Sequence, residues 1–150
     1  MIRLNLPEID VKRQNQNGQE YIFDIIRKKY ILLTPEEWVR QHFIHFLIHH
    51  HNYPKSLLKI ESGTRYNQLR KRTDVVAYSR EGKPFLLVEC KSYKLKISQD
   101  SFIQTSMYNY SLKAKYIVVT NGLTHYCCRI DHEKRTYHFL SDIPAYDECD

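Results

Sequence analysis

Glycine is scarce in this sequence, which has only Gly18, Gly63, Gly82 and Gly122 among 150 residues. None of them fits the GxxxxGK phosphate loop, so we expect no ATP-driven motor in this chain. No run of about 18 apolar residues occurs, which excludes a membrane-spanning helix. The first ten residues, MIRLNLPEID, also lack the apolar core of a signal peptide. We therefore expect a cytoplasmic protein that does not enter a membrane.

Cysteine is sparse as well, and Cys90, Cys127, Cys128 and Cys149 show no CxxC spacing. This pattern favours reduced thiols and argues against a structural zinc site. Cys127 and Cys128 are adjacent, so on a strand they would point to opposite faces and could not readily chelate one ion together. We interpret them as small packing residues.

Basic residues exceed acidic ones, with 23 Lys and Arg against 17 Asp and Glu, which gives a net charge of +6. Such a balance favours polyanionic partners without specifying one. Two basic, tyrosine-containing clusters, RYNQLRKR and KSYKLK, stand before and after one candidate hairpin. The alternative is a pair of solvated loops. If a site lies between the clusters, the residues expected to contact phosphate groups are Arg70, Lys71, Arg72, Lys94 and Lys96.

The order of predicted elements indicates one α/β domain over residues 1–150, with a core at about 34–122 and β additions at both ends. Residues 1–20 look irregular, and residues 20–33 could form a strand pair or one bent strand. Thr34 as N-cap, Pro35 and Glu37 have the capping-box spacing, which predicts a helix to about His50. Further strands are predicted near 55–62, 73–78, 85–92, 115–120, 125–133 and 136–140, and a helix over 98–112. The fold class is therefore a mixed β-sheet flanked by helices.

The predicted hairpin RTDVVAYSREGKPFLLVECKSYK carries three charges that an apolar core would reject. Alternation along the second strand puts Glu89 and Lys91 on one face and Val88 and Cys90 on the other. If the neighbouring strand brings Asp74 alongside, two carboxylates and a backbone carbonyl form a hard oxygen site suited to Mg²⁺ or Mn²⁺. Such an ion polarises a phosphodiester, and Lys91 could orient water or offset phosphate charge.

The motifs TD and ECK, in which Glu89 lies 15 positions after Asp74, resemble the PD-(D/E)XK nuclease superfamily. The segments TPEEWVRQ, RTDVVAY, LLVECKSYK, QTSMY and VVTNG, in that order, more narrowly resemble the N-terminal nuclease domain of type I restriction enzyme R subunits. The resemblance implies a restriction-endonuclease-like fold. It also implies metal ligation by Asp74, Glu89 and the Cys90 carbonyl, with Lys91 as a catalytic residue. Thr73 stands where the family usually has proline, and the motor that follows in such subunits is not found here.

The resemblance also suggests three further catalytic residues. Glu37 matches the EE-x-VR pattern and could complete the metal shell, although a capping role at the helix N-terminus is an equal alternative. Gln104 and Tyr108 match a QxxxY element and share one helix face, where they would approach substrate or metal-bound water. Random Gln and Tyr at this spacing are more often surface and core residues.

The histidines His42, His45 and His49 lie on one side of the first predicted helix with Trp38. They could bind a transition metal, but we interpret them as imidazoles on a half-buried helix edge, favourable near a helix C-terminus.

Together these patterns predict a metal-dependent deoxyribonuclease domain related to restriction and defence. The alternative is an inactive module of the same fold that binds nucleic acid or serves assembly. The expected partners of the domain are DNA and a motor or specificity subunit supplied by another chain.

Overall fold

The computed structural model describes residues 1–63, 72–108 and 113–146, without the side chains of residues 62–63, 72–74 and 104–108. A three-stranded sheet comes first, formed by β1 (Arg13–Gln16), β2 (Gln19–Asp24) and β3 (Lys29–Leu32). Helix α1 (Pro35–His50) and a 3₁₀ turn (Lys55–Leu57) follow. The second sheet contains β4 (Leu58–Gly63), β5 (Arg72–Tyr78), β6 (Pro84–Cys90), β7 (Tyr116–Thr120), β8 (His125–Asp131) and β9 (Thr136–Leu140), with α2 (Gln99–Tyr108) between β6 and β7.

The first sheet corrects one prediction and decides another. Residues 1–20 are not wholly irregular, because β1 and β2 form a hairpin at Asn17 and Gly18. Both residues have positive φ, 53° and 82°, as a two-residue hairpin turn with the right-handed strand twist requires. The segment 20–33 is a strand pair rather than one bent strand, since β2 pairs antiparallel with β3.

Helix α1 begins and ends as its sequence predicts. Thr34 has extended backbone angles, and its hydroxyl accepts a hydrogen bond from the Glu37 N–H at 3.0 Å. Pro35 occupies the first turn, where its missing N–H leaves no helical bond unmade. The cap therefore fixes the first residue of the helix and the face of the helix on which Glu37 lies.

The six-stranded sheet is mixed, in the order β4-β5-β6-β7-β8-β9. Strands β6 and β7 run parallel and are connected through α2, whereas the other neighbours are antiparallel. The β5–β6 hairpin and the β7, β8 and β9 strands agree with the predicted segments to within about two residues. The fold class predicted from the sequence is confirmed.

Each face of this sheet has its own apolar core. Leu86, Val88 and Cys90 of β6 pack with α1 residues such as Val39 and Phe43. Leu87 instead packs on the opposite face against Phe102 of α2. Because side chains alternate along a strand, β6 is buried on both sides, as expected for the central strand of an α/β sheet.

The described cysteines are buried free thiols, and Cys149 lies outside the described residues. Cys127 belongs to the core on the α1 side and Cys128 to the core on the α2 side, so the two side chains do point to opposite faces. Burial raises the pKa of the Cys128 thiol to about 11, which keeps it neutral and suited to packing. In the described part of the chain, no helix combines the length and apolar character needed to cross a membrane.

Candidate active site

Strand register places the two predicted carboxylate residues opposite each other. In the β5–β6 ladder Asp74 pairs with Glu89, one step beyond the pair formed by Val75 and Val88. Residues directly opposite in an antiparallel ladder are the closest cross-strand neighbours. The pairing required by the metal-site hypothesis is therefore present in the backbone. The side chain of Asp74 is not described.

Glu89 lies on the α2 side of the sheet, at the carboxyl end of β6. Its neighbours Val88 and Cys90 belong to the core on the α1 side, so alternation puts Glu89 on the same side as Leu87. The residue is only 5% exposed. A carboxylate at this depth needs compensating charge or hydrogen bonds, which is the situation typical of functional acids and of metal ligands.

Lys91 directly follows β6 and stays attached to the sheet. Its backbone N–H donates to the Thr120 carbonyl at 2.8 Å, which extends the β6–β7 pairing by one residue. Its side chain is half-buried. Lys91 is thus held two positions after Glu89 at the carboxyl ends of two parallel strands, the edge where open α/β sheets bind their ligands.

A third acidic residue shares this row, and sequence reasoning missed it. Glu61 of β4 pairs with Asp74, so Glu61, Asp74 and Glu89 stand at matching positions on three adjacent strands. The Glu61 carboxylate accepts a hydrogen bond from the Tyr78 hydroxyl. Burial is the main cause that raises the pKa of Tyr78 to about 12, and the hydrogen bond to the Glu61 carboxylate and the charge of that carboxylate are the smaller causes. The register of β4 was the missing signal, because LKIES alone does not define its pairing.

Glu37 lies in an ionic network that is buried at its centre, which we call the Glu37 network. Its members are Asp24, Arg27, Glu36, Glu37, Arg40 and Gln41. The Glu37 carboxylate accepts hydrogen bonds from Arg27 at 3.0 Å, Arg40 at 2.7 Å and Gln41 at 3.0 Å. These contacts connect α1 to the turn between β2 and β3. A catalytic role for Glu37 stays a prediction, and its observed contacts are structural.

Two other members of the Glu37 network are almost fully buried. Burial would raise the pKa of Asp24, but hydrogen bonds from the backbone and side chain of Arg27 and from Gln41 hold it below its usual value. Burial would likewise lower the pKa of Arg40, yet charge interactions with Cys90, Glu37 and Glu36 raise it above its usual value. Both groups are therefore ionised at neutral pH.

The remaining site candidates are placed only in part. Gln104 and Tyr108 belong to α2, but their side chains are outside the described set. Arg70 and Lys71 lie outside the described residues, and Arg72 begins β5 without a described side chain. Lys94 and Lys96 are exposed in the loop that follows Lys91. Their proposed contacts with DNA stay predictions.

The α1 histidines pack as a partly buried edge. His42 is buried, its ring lies 4.4 Å from that of Trp38, and its Nδ1 is 2.8 Å from the Trp38 carbonyl oxygen. Burial lowers the pKa of both His42 and His45. Among the described side chains, no group of three His, Cys, Asp or Glu residues is arranged to hold a metal. Asp74 does not belong to that set, so the carboxylate hypothesis depends on the register alone.

A mixed sheet with a helix on each face and an acidic row at the carboxyl end of its central strand defines a restriction-endonuclease-like α/β domain. Residues 35–144 match the family described as Type I restriction enzyme R protein N terminus (HSDR_N). This chain belongs to that family, and the resemblance found in the sequence is confirmed. Comparisons with curated proteins and with solved structures returned no match.

Proposed function

We propose that this domain hydrolyses phosphodiester bonds of DNA with the help of Mg²⁺ or Mn²⁺. The observation that carries the proposal is the register that pairs Asp74 with Glu89, with Lys91 two positions further on. Membership of a family of restriction-enzyme N termini supports the same chemistry. It also supports DNA and other subunits of such an enzyme as partners, including a motor or specificity subunit supplied by another chain.

The donor set fits a hard divalent cation. Carboxylates of Asp74 and Glu89 and the carbonyl of Cys90 would be its protein ligands, all of them oxygen, as Mg²⁺ and Mn²⁺ prefer. When bound, such a cation offsets charge on the scissile phosphate and lowers the pKa of water. Lys91 would place an ammonium beside the same phosphate and stabilise the negative charge that develops during hydrolysis.

A cleavage assay tests the proposal directly. Purified protein is incubated with supercoiled plasmid and with single-stranded DNA, with Mg²⁺ or Mn²⁺, and in parallel with EDTA. We expect cleavage with metal that EDTA stops. If neither substrate is cut with either metal, even when partner subunits are added, the alternative of a module that binds nucleic acid without turnover is the better description.

The exposed lysines beyond Lys91 should bind phosphate without selecting sequence. Each phosphate contact releases a condensed counterion, so affinity for duplex DNA should fall steeply with salt. Lys94→Ala and Lys96→Ala should each reduce the slope of log K against log salt by about one unit. Fluorescence anisotropy of a labelled duplex across a salt series measures this slope.

Lys134 provides the control for this measurement, since it is exposed in the turn between β8 and β9, at the opposite end of the sheet from Lys91. Lys134→Ala should keep the wild-type slope. Equal slopes for the control and both loop variants would remove Lys94 and Lys96 from the DNA interface.

A further inference from the structure

The loop that leaves β6 is tied back to the sheet by one buried amide. We call residues 91–98, between β6 and α2, the exit loop. The Asn121 side chain, 5% exposed, donates from Nδ2 to the carbonyl of Leu95 at 2.7 Å. Asn121 itself follows the last residue of β7, so this bond joins the segments that continue from two parallel strands.

The other end of the Asn121 amide is fixed in a turn. Its Oδ1 accepts from the N–H groups of Leu123 at 3.0 Å and Thr124 at 2.8 Å. Such bonds from an Asn side chain to backbone two and three residues ahead close a tight turn. The turn alone therefore fixes the orientation of the Asn121 amide, and this orientation directs Nδ2 at the Leu95 carbonyl.

A backbone hydrogen bond also anchors this turn to the N-terminal segment. The Asn5 N–H donates to the Gly122 carbonyl at 2.8 Å. Gly122 has φ +84°, and a Cβ there would lie 2.8 Å from a methyl carbon of Leu4. A larger residue would be strained in this conformation and would collide with Leu4. The turn that carries Asn121 is therefore packed closely against the N-terminal segment.

The exit loop is compact at the point where Asn121 holds it. The Lys94 N–H donates to the Ser92 hydroxyl and the Leu95 N–H to the Ser92 carbonyl, both at 3.1 Å. Lys94 and Lys96 are exposed on either side of Leu95, the residue whose carbonyl is bound. The bond from Asn121 therefore fixes the backbone between two cations, at a residue four positions beyond Lys91.

We propose that Asn121 is a positioning residue that orders the exit loop in advance, so that Lys94 and Lys96 meet the phosphates of duplex DNA beside the cleavage site. This inference rests on the proposed function, because it assigns those phosphates to the substrate. Ordering the backbone of a residue removes conformational freedom, and here that cost is met on folding rather than on binding. Asn121 touches neither the substrate nor the reacting atoms.

The Asn121→Ser variant separates the two ends of the amide. A serine hydroxyl can accept from the same turn N–H groups, but it is too short to reach Leu95 and it adds no charge. In EDTA, where no cleavage occurs, we expect the dissociation constant for a short labelled duplex to rise about tenfold, as when one residue must be ordered during binding. Hydrogen exchange at the Leu95 amide should become faster.

A double-mutant cycle distinguishes positioning from a general loss of structure. In a Lys94→Ala/Lys96→Ala background, Asn121→Ser should change the dissociation constant less than twofold, because no cations remain to be positioned. The matched control is Asn15→Ser, which alters a similar contact to the Gly18 N–H in the β1–β2 turn and should leave binding unchanged. If Asn121→Ser does not fold, Ser92→Ala removes the hydroxyl that accepts from the Lys94 N–H in the same loop and should weaken binding in the same direction.

The outcomes separate this inference from the proposed function. Wild-type protein that binds no DNA at low salt overturns both. Wild-type binding that Asn121→Ser leaves unchanged, despite faster exchange at Leu95, overturns only the positioning role. An equal loss of affinity in the presence and absence of the two lysines would also overturn it, since the effect would then be a general structural one.

Discussion

Replacing Lys91 by alanine is expected to abolish metal-dependent cleavage while the fold and most of the DNA binding remain. The reason is a division of labour between cations. Lys91 follows Glu89 at the end of β6, where charge would develop in the transition state, whereas Lys94 and Lys96 would contact ground-state phosphates. Losing one such donor typically lowers the rate by about 10²–10³-fold, which a plasmid-cleavage time course with Mn²⁺ resolves.

Two further variants show whether the lost cleavage in Lys91→Ala reflects a catalytic role, a role in metal binding or an effect of removing any exposed lysine. Asp74→Ala should be equally inactive but should also lose affinity for Mn²⁺, which separates a ligand from a catalytic residue. Lys83→Ala changes an exposed lysine at the opposite end of the same hairpin and should cleave like the wild type. If Lys91→Ala cuts as fast as the wild type, the activity belongs to a contaminant or to another site.

Replacing Arg40 by alanine is expected to destabilise the fold by about 3–5 kcal/mol, the range observed when one partner is removed from a buried ion pair. The Arg40 side chain is 2% exposed and lies 2.7 Å from the Glu37 carboxylate, which is itself 6% exposed. Arg27 would remain as a partner of Glu37, but the Glu37 carboxylate would lose the hydrogen bond from Arg40. Urea denaturation followed by circular dichroism measures the change in free energy of unfolding.

The surface ion pair of Arg13 and Glu20 is the matched control for Arg40. Both of its side chains are at least 39% exposed, and exposed pairs typically contribute about 0–1 kcal/mol. Arg13→Ala should therefore have a small effect. If Arg40→Ala also changes the free energy of unfolding by less than about 1 kcal/mol, the Glu37 network does not stabilise the contact between α1 and the first sheet.

The elements fixed by local chemistry could be predicted from the sequence. The cap at Thr34, the break after His50 and the β5–β6 hairpin depend on residues a few positions apart, and each is found where the pattern places it. The pairing of Asp74 with Glu89 could not be predicted from the turn length, because the register shifts between Ala77 and Tyr78. Without this shift, the pairing of Tyr78 with Pro84 would place Asp74 opposite Val88. One local signal was overlooked, because Asn17 and Gly18 form a strong hairpin turn.

Features that depend on distant segments could not be predicted in this way. Glu61 joins the acidic row only because β4 pairs with β5 in one particular register. The sequence predicts a capping or catalytic role for Glu37, whereas its partner Arg27 comes from the turn between β2 and β3. Asn121 meets Leu95 across 26 residues of sequence. Such contacts depend on how the sheets are arranged in three dimensions. No local pattern in the sequence indicates them.

The central claim is that Asp74 and Glu89 bind one divalent cation, and a crystal structure obtained with Mn²⁺ tests it most directly. Anomalous scattering locates manganese without reference to the surrounding atoms. We predict one peak between the two carboxylates and the Cys90 carbonyl, with short metal–oxygen distances and Lys91 beside it. Carboxylates on opposite faces of the sheet, or manganese bound only at His45 and His49, would contradict the claim.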